Sequence, residues 1–135
     1  MAVCFAVAGL VTALATQTFT LAWTHSIEKI RWEEDYKVEG DRLRLVEARI
    51  RGSGAGMEPP PDSRFDNGVW HYDPHLAPLA RLHLQVSPYT DGYSLCVAGR
   101  CEPLAARLRL PAATTMVVTV SACSSPAASS RGSRR

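Results

Sequence analysis

Apolar and polar residues alternate along most of this chain with a period of two. Phe19, Leu21, Trp23 and His25 alternate with Thr20, Ala22, Thr24 and Ser26, and Trp32, Glu34, Tyr36 and Val38 continue in the same style. Such alternation sends successive side chains to opposite faces of a strand. Glu39-Gly40-Asp41 is a turn signal, so residues 32–38 and 42–51 are expected to form a hairpin. Within 42–51 the apolar set shifts from Leu43 and Leu45 to Val46, Ala48 and Ile50. A one-residue change of face predicts a β-bulge or a strong local twist. A second hairpin is expected around Asp66-Asn67-Gly68, with Val69–Tyr72 as its return strand. Further strands are predicted at 82–86, where Leu82, Leu84 and Val86 alternate with polar residues, and at 93–97, 100–104 and the β-branched run 115–121. Residues 103–110 are the one short helix expected. The segment 52–61 (GSGAGMEPPP) cannot be regular, because its three glycines loosen the backbone and its three prolines fix φ and remove donors. About seven or eight short antiparallel strands result. They predict a mostly β domain over 19–121, built as a compact β-sandwich or a partly closed barrel, followed by a disordered Ser/Ala/Arg tail at 122–135.

The first 18 residues change this picture. No charged side chain occurs from Met1 to Ala15, and residues 3–14 are almost wholly apolar. That run is shorter than the roughly 20 apolar residues a membrane-spanning helix needs. It has the character of a secretory signal, with Ala13-Leu14-Ala15 as a small-x-small cleavage site, although a basic leading region is missing. Export is the reading adopted for residues 1–18, as a cleaved signal or an N-terminal membrane anchor. The alternative is a buried strand or helix of the domain itself. Cysteine usage agrees with export. Cys96 and Cys101 flank a turn-forming segment, so two strands meeting there would bring them within disulfide range. The competing metal reading lacks a second Cys or His pair at zinc spacing. Cys4 falls in the apolar segment and Cys123 is left over, either free or facing lipid. Overall composition adds little: 46% hydrophobic and 21% charged residues fit an ordinary globular protein, and a net charge of +2 excludes the concentrated basic face of a nucleic-acid binder.

Several segments in order carry a resemblance. They are Trp23-Thr24-His25-Ser26-Ile27-Glu28-Lys29, then Trp32-Glu33-Glu34-Asp35-Tyr36, Val46-Glu47-Ala48-Arg49, the stretch Gly52-Ser53-Gly54-Ala55-Gly56-Met57-Glu58-Pro59-Pro60, and Leu95-Cys96 with Arg100-Cys101. Together they resemble the domain-of-unknown-function 1850 family, over about residues 19–104. The family has no established activity. Its members are small bacterial proteins, often encoded beside the permease and the TAXI-type receptor of tripartite ATP-independent periplasmic (TRAP) transporters. The resemblance implies an exported accessory protein and supplies no catalytic residue.

Candidate chemistry begins with the polar set His25, Ser26, Glu28, Glu34, Glu47 and Arg49. His25 and Ser26 are neighbours on a predicted strand, so their side chains leave opposite faces and cannot pair as base and nucleophile. Ser53 could partner His25 from the loop, which keeps a small exported hydrolase as an alternative to a binding module. Glu28 and Glu34 are expected to meet Arg49 or Arg51 across the hairpin as ion pairs. If that cluster lies in a cleft, Arg49 becomes a carboxylate-binding fork. Loop residues Gly54, Gly56, Met57 and Glu58 offer either a recognition surface or a plain crossover between sheets, the latter fitting a purely structural or chaperone-like module. Trp32, like Trp23 and Trp70, is either core or pocket wall. His71 and His75 have i, i+4 spacing, yet Pro74 argues against the helix that would join them on one metal. No metal or other cofactor is indicated. The expected function is an exported accessory or binding module that takes a TRAP permease, a TAXI-type receptor or a small carboxylate.

Overall fold

The hairpins form where left-handed turn residues interrupt strand-forming runs. Gly40, Asn67-Gly68 and Ala98-Gly99 all have positive φ, and the two-residue pairs at 54°/78° and 52°/80° match the turns that a right-twisted hairpin prefers. The computed structural model describes residues 1–24, 30–51, 61–89, 92–111 and 114–124. Among them lie eleven strands: β1 (Ala2–Val7), β2 (Leu10–Leu14), β3 (Thr18–Thr24), β4 (Arg31–Glu39), β5 (Arg42–Arg51), β6 (Arg64–Asp66), β7 (Val69–Tyr72), β8 (Leu82–Val86), β9 (Ser94–Val97), β10 (Arg100–Pro103) and β11 (Met116–Cys123). One helical turn, α1 (Leu104–Arg107), follows β10.

All pairings are antiparallel, and they make two sheets. One has the order β2-β1-β11-β8, and the other β10-β9-β3-β4-β5-β7-β6. The sheets pack face to face as a sandwich, with no closed barrel. Val3 and Phe5 of β1 and Val118 and Val120 of β11 meet Phe19, Leu21, Tyr36, Leu43 and Leu95 in one buried cluster. Phe5 meets Phe19 edge-on at 6.2 Å, and Phe19 stacks on Tyr36 at 5.2 Å, so an aromatic column crosses from sheet to sheet. The loop after β7 is tied to β5 by paired backbone bonds between Leu43 and Leu79, at 2.8 and 2.7 Å, before the chain crosses to β8.

The predicted bulge is present. Asp35 faces Glu47, while the next residue, Tyr36, faces Leu45, leaving Val46 as the extra residue on β5. Val46 is exposed, and Leu45 and Ala48 on either side are both buried. The bulge is therefore what keeps both halves of β5 turned toward the core.

Both ends of the described chain are drawn into the smaller sheet. Residues 2–14, expected to act as an export signal or anchor, form the β1–β2 hairpin, and Ala2, Val3 and Phe5 have no exposed surface. Ala8 and Gly9, at φ 51° and 79°, break the apolar run into two strands. An uncharged apolar segment satisfies a core strand as readily as a signal. Ala122 and Cys123, expected in the tail, are instead the end of β11. That cysteine is neither free nor facing lipid: it is bonded to Cys4 across the β1–β11 pair, with Cα atoms 5.9 Å apart. The expected Cys96–Cys101 disulfide is present, its residues directly opposite in the β9–β10 ladder and 4.0 Å apart at Cα.

Candidate functional site

The β4–β5 pair sorts its charged residues by parity. On the outward face, Glu33 lies opposite Arg49, and Asp35 opposite Glu47; Arg49 is in turn opposite His71 of β7. Arg49 is the hub of this face. Its Nε donates to Glu33 Oε1 at 2.8 Å, and Nη1 and Nη2 grip both oxygens of Asp35 at 2.6 and 2.7 Å. Nη1 also donates to Glu47 Oε2 at 2.7 Å. Arg31 takes the other oxygen of Glu33 at 2.9 Å, and the Thr20 hydroxyl donates to Asp35 at 2.6 Å. Burial works against the charged forms of Glu33 and Asp35. Hydrogen bonds from Arg49 outweigh it, with help from Arg31 for Glu33 and from Thr20 for Asp35, and hold both carboxyls below their ordinary pKa. His71 Nδ1 lies 3.5 Å from Glu47. A cleft of about 140 Å³ opens here, walled by Arg31, Glu33, Arg49, Arg51, Val69 and His71. The Arg49 fork expected to bind a carboxylate ligand is already filled by Asp35.

The opposite face carries different chemistry. Trp32, Glu34 and Tyr36 alternate on the core-facing side of β4, where strand register lays out cross-strand rows. One row runs Trp23, Trp32, Ile50, Trp70 and Phe65; the next runs Leu95, Leu21, Glu34, Ala48 and Tyr72. Glu34 thus occupies a core-facing position between Leu21 and Ala48, both buried. Burial relaxes toward this end of the sheet: Tyr36 and Val38 are buried, whereas Glu34, Trp32, Trp23, Tyr72 and Tyr93 are half-buried. Trp23 and Trp32 are nearly parallel, with centroids 6.3 Å apart, and Tyr93 meets Trp23 edge-on at 5.5 Å.

Glu34 accepts one hydrogen bond among the described residues, from the Tyr36 hydroxyl at 2.8 Å. Burial pushes its carboxyl above the ordinary pKa despite that bond. Burial and the nearby Glu34 charge raise the phenols of Tyr36, Tyr72 and Tyr93 as well, so three hydroxyls share the neighbourhood of one carboxylate. The indole nitrogens of Trp32 and Trp70 are buried without a partner among the described residues.

The residues expected to form one site therefore fall into two. Glu47 and Arg49 lie on the outward face, Trp32 and Glu34 on the core-facing one. The expected Glu34–Arg49 pairing is replaced by pairs from Glu33 and Asp35, because alternation puts Glu34 on the wrong side of the sheet. His25, Ser26, Glu28, Ser53, Gly54, Gly56, Met57 and Glu58 lie outside the described residues, and with them the expected Ser53–His25 pair. His71 and His75 reach different carboxylates, Glu47 and Asp62. Larger hollows of about 390 and 500 Å³ border the β9–β10 hairpin, and the second is walled in part by Thr20 and Asp35 of the outward cluster and by Tyr36. Sequence reasoning missed Trp23, Tyr72 and Tyr93 as neighbours of Glu34. The alternation Trp32-Glu34-Tyr36 held the signal, since it puts a carboxylate on an apolar face.

Residues 19–104 match the profile of the domain of unknown function DUF1850. The chain belongs to this family. The matched residues run from β3 to the start of α1 and contain both clusters, while β1, β2 and β11 of the smaller sheet lie outside them. No curated protein and no solved structure matches the chain. The two disulfides of this DUF1850 protein are compatible with an oxidising, extracytoplasmic location. Among the described residues, no helix is long and apolar enough to cross a membrane.

Proposed function

We propose that this DUF1850 protein is a periplasmic accessory module of a TRAP-type transport system, and that it binds a transporter component through the aromatic face around Glu34. The observation that carries this reading is Glu34 itself, a half-buried carboxylate on the core-facing side of β4 with a phenol as its hydrogen-bond donor. An apolar residue there would extend the core at lower cost. A desolvated acid kept among half-buried aromatic rings is the mark of a surface held for recognition. Two disulfides support an oxidising compartment, and the family resemblance supports the transporter setting. The filled Arg49 fork favours a transporter component over the small carboxylate expected from sequence.

The test is recovery from native membrane extract. Tagged wild-type protein is expected to retain the neighbouring permease or TAXI-type receptor, identified by mass spectrometry, and Glu34→Gln to lose it while keeping a native circular dichroism spectrum. A wild-type protein that stays monomeric and unaccompanied, or a Glu34→Gln variant that retains the partner equally well, overturns the proposal.

A further inference from the structure

We infer that the Glu34 face recognises an organic ammonium group. The inference rests on the binding role proposed above and names the chemistry of what that face takes. Its basis, among the described residues, is an anionic group set beside electron-rich rings, with Arg31 and Arg49 held on the other side of the sheet.

Strand parity supplies the first part of the case. Of the charged residues on β4 and β5 near this end, Arg31, Glu33, Asp35, Glu47 and Arg49 all project outward and pair with one another there. Glu34 is the charged residue that β4 turns inward at this level, between Leu21 and Ala48. Among the described residues no lysine, arginine or histidine forms an ion pair with it. Burial pushes its carboxyl up despite the hydrogen bond from Tyr36.

The rings supply the second part. Trp32 precedes Glu34 by two residues on the same face, Trp23 stands opposite Trp32, and Tyr93 closes on Trp23. The faces of indole and phenol rings carry negative quadrupole charge and attract ammonium ions, most strongly where water is partly excluded. A carboxylate beside them adds a charge-assisted bond for any ammonium that retains an N–H. An anionic ligand meets the reverse of this field, and an uncharged apolar one leaves Glu34 desolvated and unpaired. A small free amine and a lysine side chain of a partner both present the required group.

Tryptophan emission of the full-length protein, titrated with butylammonium chloride and with tetramethylammonium chloride at fixed ionic strength, tests the inference. Saturable changes are expected with both salts. Glu34→Gln should raise the half-saturation concentration for butylammonium about tenfold, the scale of one lost charge-assisted bond. No saturable response, an equal response in Glu34→Gln, or an equal response to sodium acetate overturns it. Displacement of a copurified partner by butylammonium identifies the source as a partner lysine, whereas binding without displacement identifies a free amine. If ammonium binding fails while partner retention still depends on Glu34, the ligand class falls and the recognition role stands.

Discussion

Arg49 donates four hydrogen bonds to three carboxylates, with its side chain 20% exposed and theirs about a third. Removing it would leave Glu33, Asp35 and Glu47 crowded and partly desolvated, a larger effect than losing an isolated surface pair. Arg49→Met is therefore expected to cost about 2–3 kcal/mol in urea unfolding, the scale of a broken, partly buried network. Arg49→Lys should recover only part of that, since a point charge cannot grip both oxygens of Asp35. The pH dependence has a definite sign. Glu33 and Asp35 are held below their ordinary pKa, so their stabilisation is complete above the unfolded-state values and is lost as pH falls through the depressed ones. Glu34 behaves in the opposite way. Its raised pKa means that stability is lost as pH rises from the ordinary 4.5 through the folded value. Glu34→Gln should accordingly gain about 0.5–2 kcal/mol at neutral pH, the usual range when a functional strain is relieved. It should also flatten the pH profile above 4.5. A neutral or destabilising outcome at pH 7 would mean that Glu34 is a structural acid after all.

The β1–β2 hairpin is the element whose role was least legible in advance. Phe5 is wholly buried and bridges to Phe19, so Phe5→Ala is expected to cost about 3–4 kcal/mol, the range for truncating a core aromatic. An unchanged unfolding midpoint for that variant would show that the hairpin is dispensable to the domain. Along the rest of the chain, alternation and turn chemistry were enough to place most strands. The hairpins at Gly40, Asn67-Gly68 and Ala98-Gly99, the strand at 82–86 and the bulge at Val46 were all readable, because local backbone preference and side-chain period set them. Residues 2–14 form a strand pair in the structure, and hydrophobicity alone does not tell a strand pair from an export signal. The site was half readable for a related reason. The sequence marks Glu34 and Arg49 as candidate site residues, but which of Glu33, Glu34 and Asp35 meets Arg49 depends on register across a bulged pair. That is a long-range property, and composition or spacing does not encode it.

At the scale of the whole molecule, the two disulfides differ in what they constrain. Cys96–Cys101 closes a hairpin with a sequence separation of 5, whereas Cys4–Cys123 has a separation of 119 and ties the first strand to the last. On the chain-entropy account, the longer closure removes far more freedom from the unfolded chain, about 5 kcal/mol against about 2 kcal/mol for the short one. The Cys4–Cys123 bond also fastens β1 to β11, two strands outside the family match whose Val3, Phe5, Val118 and Val120 cover the core side of the larger sheet. Replacing Cys4 and Cys123 together by serine should therefore lower the unfolding midpoint much more than the same change at Cys96 and Cys101. The emission of Trp23 should respond in the same order, because Trp23 packs against the core cluster that Val3, Phe5, Val118 and Val120 help to build. Equal losses from the two double variants would mean that the short bond acts on the folded state, by holding β9 against β3 beside Tyr93 and Trp23, and that the recognition face is braced from the hairpin side rather than from the chain ends.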